Sequence, residues 1–261
     1  MSRNQPAIRF GLVADCHFAD KPSAIGRDYR GAARRLTDAV AAFNSLGLDF
    51  VIEMGDLKDN SGDVASTLSA LDRIESVFAA FSGPRYHVLG NHDMDILSKE
   101  EFLSRIANHG FAQALPRYAF TQGGFRFVVL DDNFNADGSD YCRGNFDWRA
   151  ALVPPDELAW LTRELDRARE PVVVFNHQRL DTDDVLTATN APAVREILER
   201  SGKVVAVFTG HHHDGGFSRI GGIPYYTVKG MTEVRNNLGE CAVVAEIADG
   251  RVRVESAFRQ R

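Results

Sequence analysis

The chain alternates short apolar runs with segments in which apolar residues recur every three or four positions. The apolar runs, which are typical of buried strands, cover residues 8–14, 50–54, 86–89, 172–175 and 204–208. The helical spacing covers residues 30–46, 68–81, 100–107, 155–167 and 190–199. The alternation of the two patterns predicts an α/β fold.

Two further stretches have the pattern of antiparallel strands. Residues 118–121 and 125–130 flank Gln122-Gly123-Gly124 and predict a hairpin, which a polar loop at 131–147 follows. Residues 216–220, 223–228, 241–247 and 252–258 predict an antiparallel meander at the end of the chain. The sequence has no repeat, low-complexity tract or linker, so we expect one domain over residues 1–261, with mixed sheets.

The composition is that of an ordinary globular protein. Hydrophobic residues make up 44% and charged residues 25%, which excludes a disordered or fibrous chain. The three cysteines form no Cys-x-x-Cys pair, so neither a disulfide framework nor a structural zinc site is expected. No apolar run approaches the ~18 residues of a membrane span, and the N-terminal residues lack the apolar core of a secretory signal. We therefore expect a cytoplasmic protein without membrane contact.

The charge balance bears on possible partners. Lys and Arg total 30 against 36 acidic residues, which gives a net charge of −6. Proteins that bind nucleic acid usually carry a basic excess, so a nucleic-acid partner is not expected. The strands predicted within 241–258 could pair at an edge with a second copy, so a homodimer stays open.

Residues that bind metal ions follow five of the predicted strands. The segments are Asp15-Cys16-His17, Gly55-Asp56, Gly90-Asn91-His92-Asp93, His177 and Gly210-His211-His212-His213. The carboxyl ends of strands in an α/β sheet meet at one edge, where ligands bind, so we expect these segments to converge. In an extended segment residues i and i+2 face the same way, which lets His211 and His213, and likewise the Asp-x-His pair, face one centre.

The donor set of these segments predicts two metal ions. Imidazole, carboxylate and amide groups without thiolate favour Mn, Fe or Zn over Mg or Ca, and so many donors suit two ions about 3.5–4 Å apart that share a carboxylate. Taken singly, each segment has an ordinary explanation: Gly-Asp is usually a turn, Asp15 could cap a helix, and a lone His177 is more often hydrogen-bonded than metal-bound. Their joint order, which takes in six of the eight histidines, favours the metal centre.

This ordered set of motifs resembles that of the calcineurin-like metallophosphoesterases, and it spans residues 15–213. The resemblance implies a four-layer α-β-β-α sandwich of two mixed sheets flanked by helices. It implies the following metal ligands: Asp15, His17 and His213 for the first ion, Asn91, His177 and His211 for the second, and Asp56 bridging the two. It further implies that His92 is the catalytic histidine and that Asp59 orients it.

The reaction that the resemblance implies is hydrolysis of a phosphoester. Two divalent ions lower the pKa of a bound water and neutralise phosphoryl oxygens, so attack by a metal-bound hydroxide is expected. His92 is expected to protonate the leaving group as a general acid or to stabilise the transition state. Asp93 has two open interpretations, support of the site or a loop cap.

Residues around the motifs resemble two branches of the family. Phe18-Ala19-Asp20, the arginines at 30, 34 and 35, and Gly215-Gly216 are similar to the manganese-dependent ADP-ribose/CDP-alcohol diphosphatases. The complete Asp-x-His pair is also the pattern of the class III cyclic-nucleotide phosphodiesterases. Both resemblances imply a small phosphodiester or nucleotide substrate, and a phosphodiesterase or nucleotide diphosphatase is the leading hypothesis.

Substrate contacts are expected from the loops. Asn133, which follows a strand and opens the long loop, is the preferred candidate. The other candidates for phosphate or leaving-group contacts are Arg27, Arg30, Arg143, Arg179, Tyr226, Lys229 and Asn135. Taken singly, most of these are expected to be solvated surface residues. Phe134, Phe146 and Trp148 could stack on a base, although loop packing is the simpler interpretation.

Two other functions stay open. A phosphomonoesterase would use the same metal centre on a different ester. A scaffold would keep the fold and lose catalysis, but the intact motifs, His92 included, speak against it.

Overall fold

The computed structural model describes residues 7–258, so the predicted domain of residues 1–261 extends beyond the described part at both ends. The strands are β1 (Ile8–Val13), β2 (Phe50–Glu53), β3 (Arg85–His87), β4 (Tyr118–Gln122), β5 (Phe125–Val129), β6 (Val172–Phe175), β7 (Val204–Thr209), β8 (Gly216–Ile220), β9 (Ile223–Thr227), β10 (Val243–Ala248) and β11 (Arg251–Ser256). The helices are α1 (Gly31–Ser45), α2 (Val64–Phe78), α3 (Lys99–Leu103), α4 (Pro155–Arg167), α5 (Ala191–Ser201) and α6 (Leu238–Cys241). Within the described residues, none of these helices has the length and apolar character needed to cross a membrane.

The strands form two mixed sheets. The first has the order β11-β10-β1-β2-β3, in which β1, β2 and β3 are parallel and β10 and β11 are antiparallel to their neighbours. The second has the order β4-β5-β6-β7-β9-β8, with a parallel centre and an antiparallel hairpin at each edge. The predicted α/β fold with two mixed sheets is confirmed.

Side-chain alternation along the strands produces the layers. Successive residues of a strand point to opposite faces, so each sheet has two apolar faces to cover. Between the sheets the core is aromatic: Phe10 stacks on Phe50 at 4.8 Å and meets Phe127 edge-on at 5.8 Å. On the outer faces Val51 packs with α1 and α2, and Val174 packs with α4 and α5. The layer order is therefore helices, sheet, sheet, helices, as predicted.

The predicted C-terminal meander is wrong. The β8–β9 hairpin extends the second sheet, where β9 pairs in parallel with β7, whereas β10 and β11 cross to the first sheet, where β10 pairs with β1. The strand predicted from residue 241 begins at Val243, because Asn237 and Glu240 form a capping box that starts α6. An apolar run predicts a strand, but it does not predict which sheet that strand joins.

The helix predicted at 100–107 is confirmed in part. A capping box between Ser98 and Glu101 starts α3 at Lys99, and the helix ends at Leu103. The other predicted helices are present with shifted ends, the largest shift being in α2, which begins four residues earlier than predicted, after Asp63 caps its N-terminus.

Candidate metal centre

The five motif segments meet at one edge of the two sheets. They follow β1, β2 and β3 of the first sheet and β6 and β7 of the second. Backbone hydrogen bonds join the first two segments, from Asp15 N–H to the Gly55 carbonyl at 3.0 Å and from His17 N–H to the Asp56 carbonyl at 2.8 Å. The N–H of His211 donates to the Asp15 carboxylate at 3.1 Å, which ties the two sheets together at the site.

Asp15, His17 and His213 form the first group of donors. Their facing atoms all lie within 4.8 Å of one another, and all three residues are buried. The Nε2 atoms of His17 and His213 are 3.1 Å apart, and Nε2 of His213 is 3.3 Å from Asp15 Oδ1. These are the three residues predicted for the first ion.

Asp56, His177 and His211 form the second group, again with donor atoms within 4.8 Å of one another. Asn91 joins it, because its Oδ1 lies 3.2 Å from Nε2 of His177. The structure thus brings together the three residues predicted for the second ion and the carboxylate predicted to bridge.

Asp56 lies between the two groups. Its Oδ2 is 3.4 Å from Nε2 of His17 on one side and 3.4 Å from Nε2 of His177 on the other. Its Oδ1 accepts a hydrogen bond from the N–H of His92 at 2.7 Å, which fixes the carboxylate plane. This is the position that a carboxylate shared by two ions requires.

Protein groups behind the site hold three of the histidines in one tautomer. The contacts at Nδ1 are His17 with Asp59 (3.2 Å), His177 with the Met54 carbonyl (2.8 Å) and His213 with Glu233 (2.7 Å). Because these partners accept hydrogen bonds, each Nδ1 carries a proton, so in the neutral form of each ring the lone pair of Nε2 faces the centre.

The donor atoms fit cations. With both Nδ1 protons placed, His17 and His213 direct two lone pairs at each other across 3.1 Å, an arrangement that a cation or a shared proton satisfies. Nε2 of His211 is buried without a hydrogen-bond partner among the described residues, although buried polar atoms are nearly always paired. The set of imidazole nitrogens with carboxylate and amide oxygens suits two divalent transition-metal ions.

Electrostatics keeps the carboxylates ionised and one imidazole neutral. Burial raises the pKa of Asp15, but the neighbouring His213 and His17 outweigh it and hold that pKa well below its usual range. Burial also opposes ionisation of Asp56, yet His177, His92 and His17 bring its pKa well below the usual value. Burial, with the nearby His177, lowers the pKa of His211 to about 3. Ionised carboxylates and a neutral imidazole are the forms that bind metals.

The backbone is strained at the same residues. Asp15, His17, Asp56 and His211 have φ values of 51°, 47°, 57° and 66°, in the left-handed region that non-glycine residues rarely adopt. Such strain costs of order 1–3 kcal/mol at each residue and clusters at functional sites. The strained residues lie in the segments that follow β1, β2 and β7.

His92 lies beside the metal donors with part of its side chain exposed to the cleft. Its ring meets that of His17 edge-on at 4.5 Å, and its Nδ1 is 3.5 Å from Asp59 Oδ2. Asp59 lies closer to His17, at 3.2 Å, and also accepts a hydrogen bond from Lys21 Nζ at 2.7 Å. Asp59 therefore contacts both histidines rather than orienting His92 alone, and Asp95 Oδ2 is a second carboxylate near the same Nδ1, at 3.7 Å.

Asp93 supports the site from behind. Its buried carboxylate accepts hydrogen bonds from the backbone N–H groups of Gly90 at 2.8 Å and Asp56 at 3.1 Å. It thereby connects the loop after β2 to the loop after β3. Of the two interpretations left open for Asp93, this placement favours support of the site.

A cleft of about 290 Å³ opens above the metal donors. Besides residues of the motifs, it is lined by Arg27, Trp148, Leu186, Asp214, Glu233 and Arg235. Trp148 approaches His211 edge-on at 5.6 Å, so one of the three aromatic residues considered for stacking borders the cleft. The other two pack elsewhere, Phe146 on Tyr141 and Phe134 under the Lys99 ammonium.

Asn133 does not lie in the cleft. It is fully buried, and its Nδ2 donates to the Leu89 carbonyl at 2.8 Å, next to the segment that carries Asn91. Because its side chain is enclosed by protein atoms, the structure does not support the substrate contact predicted for it. Burial of this kind is not visible in the sequence, where Asn133 is simply a polar residue after a strand.

Most of the other candidate contact residues bind protein groups. The pairs are Arg30 with Asp20, Arg143 with Glu101, Arg179 with Asp181, Lys229 with Glu240 and Asn135 with Ser139, while Tyr226 stacks on Phe208. Among these candidates, Arg27 is the residue that lines the cleft.

Sequence reasoning missed Glu233. It follows β9 by six residues, in a segment without a motif. A backbone hydrogen bond from Thr232 N–H to the Asp15 carbonyl, at 3.0 Å, holds this segment beside the site, where Glu233 contacts His213. Its one sequence signal is an acidic residue shortly after a predicted strand, which is too common to single out.

Comparisons with known proteins agree with this geometry. The chain is 27% identical to a manganese-dependent ADP-ribose/CDP-alcohol diphosphatase of Oryza sativa subsp. japonica, over 83% of this chain and 81% of that protein. It is 28% identical to a protein of Rhodopseudomonas palustris named “Probable cyclic nucleotide phosphodiesterase”, over 86% and 78% of the two chains. The crystal structure of a dimetal phosphatase from Danio rerio matches the fold with a TM-score of 0.80 at 23% identity, over 98% of each chain.

The family assignment follows from a match over most of the chain. The family model described as calcineurin-like phosphoesterase matches residues 8–215, a range that contains all five motif segments. The chain therefore belongs to the calcineurin-like phosphoesterase family and is a metal-dependent phosphoesterase.

Proposed function

We propose that this phosphoesterase hydrolyses a diphosphate or phosphodiester bond in a small nucleotide substrate. The observation that carries the proposal is the position of Asp56 Oδ2, at 3.4 Å from a histidine of each donor group. The named activities of the relatives, on ADP-ribose, CDP-alcohols and cyclic nucleotides, support a nucleotide substrate.

Two divalent cations are the cofactors of this proposal. Asp15, His17 and His213 would hold one, Asn91, His177 and His211 would hold the other, and Asp56 would contact both. When bound, such ions neutralise phosphoryl oxygens and make water a better nucleophile near neutral pH. Mn is the preferred metal, because the donor set suits it and the relatives are named as manganese-dependent.

His92 is the proposed general acid. Its ring lines the cleft beside the donor groups, and the Asp59 and Asp95 carboxylates face its Nδ1. An imidazole in this place can give a proton to the oxygen of the leaving group. Asp59 acts as a positioning residue in this proposal, shared between His92 and His17.

A substrate panel tests the proposal. The Mn-loaded protein would be assayed with ADP-ribose, CDP-choline, cyclic AMP, bis-(p-nitrophenyl) phosphate and p-nitrophenyl phosphate, with Asp56→Asn as the inactive variant and exposed Asp38→Asn as its matched control. We expect kcat/KM for ADP-ribose or CDP-choline to exceed that for p-nitrophenyl phosphate by about tenfold or more. Turnover of the monoester alone would replace the proposal with a phosphomonoesterase, and no turnover of any ester would favour a scaffold.

A further inference from the structure

Arg27 keeps its hydrogen-bond donors free while it lines the cleft. Its Nη1 is 3.9 Å from Asp59 Oδ2 and its Nε is 3.8 Å from Glu233 Oε1, distances too long for hydrogen bonds. Within residues 7–258 its guanidinium makes no side-chain hydrogen bond, and 20% of the side chain is exposed. A guanidinium with five N–H groups and no acceptor is prepared to bind an anion.

The other arginines near the site are already engaged. Arg235, which also lines the cleft, reaches Asp214 at 2.7 Å, and Arg179 donates to Asp181 at 2.9 Å. Arg30, three residues after Arg27, donates to Asp20 at 2.6 Å outside the cleft. The free donors of Arg27 are therefore specific to this position and are not a general property of arginines on this face.

The backbone fixes where the Arg27 side chain begins. Ala24 and Arg27 exchange two backbone hydrogen bonds, at 2.8 and 3.1 Å, around a tight turn in which Ile25 and Gly26 have φ of 49° and 85°. The N–H of Val234 donates to the Gly26 carbonyl at 3.0 Å, which ties the turn to the segment that carries Glu233. The turn thus holds Arg27 beside the first donor group.

Arg27 lies beside the first donor group, at the cleft. The two carboxylates near its guanidinium are those that hold Nδ1 of His17 and of His213, so Arg27 borders the first donor group from the side of the cleft. The cleft is also lined by Asp214 and Glu233, whose negative charges oppose the binding of a second phosphate, and Arg235 is already paired with Asp214. A guanidinium binds phosphate oxygens in a bidentate manner.

We infer that Arg27 binds the second phosphate of a diphosphate substrate and so selects diphosphates over esters with one phosphate. The inference rests on the proposed function and names the residue that discriminates within it. In the reaction a water oxygen bonds to the first phosphorus and the bond from that phosphorus to the bridging oxygen breaks. The bridging oxygen leaves with the second phosphate, which Arg27 holds, and the protons of the water pass to the two phosphate products and the solvent.

Binding of unreactive ligands tests the inference. α,β-Methylene-ADP and AMP would be titrated calorimetrically into the Mn-loaded protein at fixed free Mn, for the wild type, Arg27→Gln, Arg27→Lys and the control Arg30→Gln. We expect the wild type to bind α,β-methylene-ADP roughly 10- to 100-fold more tightly than AMP, which is the effect of a charge-assisted hydrogen-bonded pair. Arg27→Gln should lose this preference for the diphosphate ligand, and Arg30→Gln should keep all of it. Arg27→Lys should keep part of the preference, because lysine offers a positive charge without the bidentate donors of arginine.

Two results would overturn the inference: a wild type that binds both ligands equally, or an Arg27→Gln variant that keeps the ratio. If that variant keeps the ratio but binds both ligands more weakly, Arg27 is a positioning residue that acts through the metal centre. Unchanged Mn affinity and thermal midpoint in Arg27→Gln would show that the variant is folded and loaded. A wild type that prefers the diphosphate ligand but hydrolyses none of the diphosphates and diesters of the panel would contradict the proposed function, and the binding preference assigned to Arg27 would stand.

Discussion

At the scale of single residues, the tautomers of the histidines connect this sequence to its chemistry. Three imidazoles donate their Nδ1 protons to three unlike acceptors, the Asp59 and Glu233 carboxylates and the Met54 carbonyl. Each acceptor fixes the ring orientation, and the two carboxylates also make their imidazoles more basic ligands. The geometry of the donor atoms therefore depends on residues outside the two donor groups.

Glu233→Gln tests this dependence. Glutamine keeps the shape of the side chain and removes its charge, so His213 loses its anionic partner. We expect Mn affinity, measured calorimetrically, to fall about tenfold or more. The matched control is Glu240→Gln, which removes a partly exposed carboxylate that pairs with Lys229 away from the cleft, and glutamine can keep the capping box with Asn237. Equal Mn affinity in the two variants would show that Glu233 does not orient a ligand.

His92→Ala separates proton transfer from metal binding. If His92 is the general acid, its loss should lower kcat by about 10²–10⁴-fold and leave the Mn content of the protein unchanged. The control is His109→Ala, which removes an exposed imidazole at a distance from the motifs. Loss of one Mn together with activity would instead identify His92 as a ligand, since it lies within reach of the donors of His17 and Asp56.

The site residues that could be predicted from the sequence are those that lie in the motifs. Sequence reasoning found the residues that the structure brings together, because each follows an apolar strand and several follow a glycine. It gave Asn133 a role that its burial does not support, and it missed Glu233, whose segment carries no motif. Burial and pairing arise from tertiary contacts, which a single sequence does not display.

At the scale of elements, the loops after β2 and β3 must approach each other closely for Asp56 and Asn91 to reach the centre. The glycines allow this approach: a Cβ on Gly90 would lie 2.1 Å from the Asp56 backbone nitrogen and 2.3 Å from its Oδ1. Asp93 then ties the two loops by accepting their N–H groups.

Gly90→Ala should therefore push apart the loops after β2 and β3 that carry Asp56 and Asn91. We expect a loss of stability of about 1–3 kcal/mol from the overpacked contact, and a Mn stoichiometry below that of the wild type. The control is Gly202→Ala, where φ is +62° and the added Cβ meets nothing within 4 Å. That control should lose about 1 kcal/mol from backbone strain alone and keep its Mn. The same Mn content in both variants would contradict this role of Gly90.

The elements themselves were largely predictable, and their partners were not. Short apolar runs located the buried strands, and apolar residues every three or four positions located the helices, because each pattern reflects how the element is buried. The pairing of β9 with β7 and of β10 with β1 was not predicted, since strand pairing depends on which apolar faces meet in three dimensions. Capping residues such as Asn237 and Glu240 could have corrected the start of β10.

At the scale of the whole molecule, the fold buries charge outside the metal centre. His87, at the end of β3, is fully buried between Glu75, 3.1 Å from its Nε2, and Glu53, 3.6 Å from its Nδ1. Burial lowers the pKa of His87, but Glu75 and Glu53 outweigh it and raise that pKa to about 9. Burial raises the pKa of Glu53 to about 7.

Both shifts make the folded protein less stable as pH rises. The folded state holds protons on His87 and Glu53 that the unfolded chain has already released, so their contribution is lost as pH rises through about 7 and then about 9. We expect the free energy of unfolding at saturating Mn to fall by on the order of 2–3 kcal/mol more in the wild type than in His87→Gln between pH 6 and 9.5. Denaturant titrations at several pH values measure this. If the free energy of unfolding falls with pH as steeply in His87→Gln as in the wild type and in the control His109→Gln, the assignment of this pH dependence to His87 is contradicted.

The central claim is that two ions, held by donors from both sheets, perform the hydrolysis. The most direct test is a calorimetric Mn titration of the metal-stripped protein, with ADP-ribose hydrolysis assayed in the same samples. The account predicts two Mn per chain and activity that rises with the second. One Mn per chain, or two Mn without hydrolysis of any phosphoester, would contradict it.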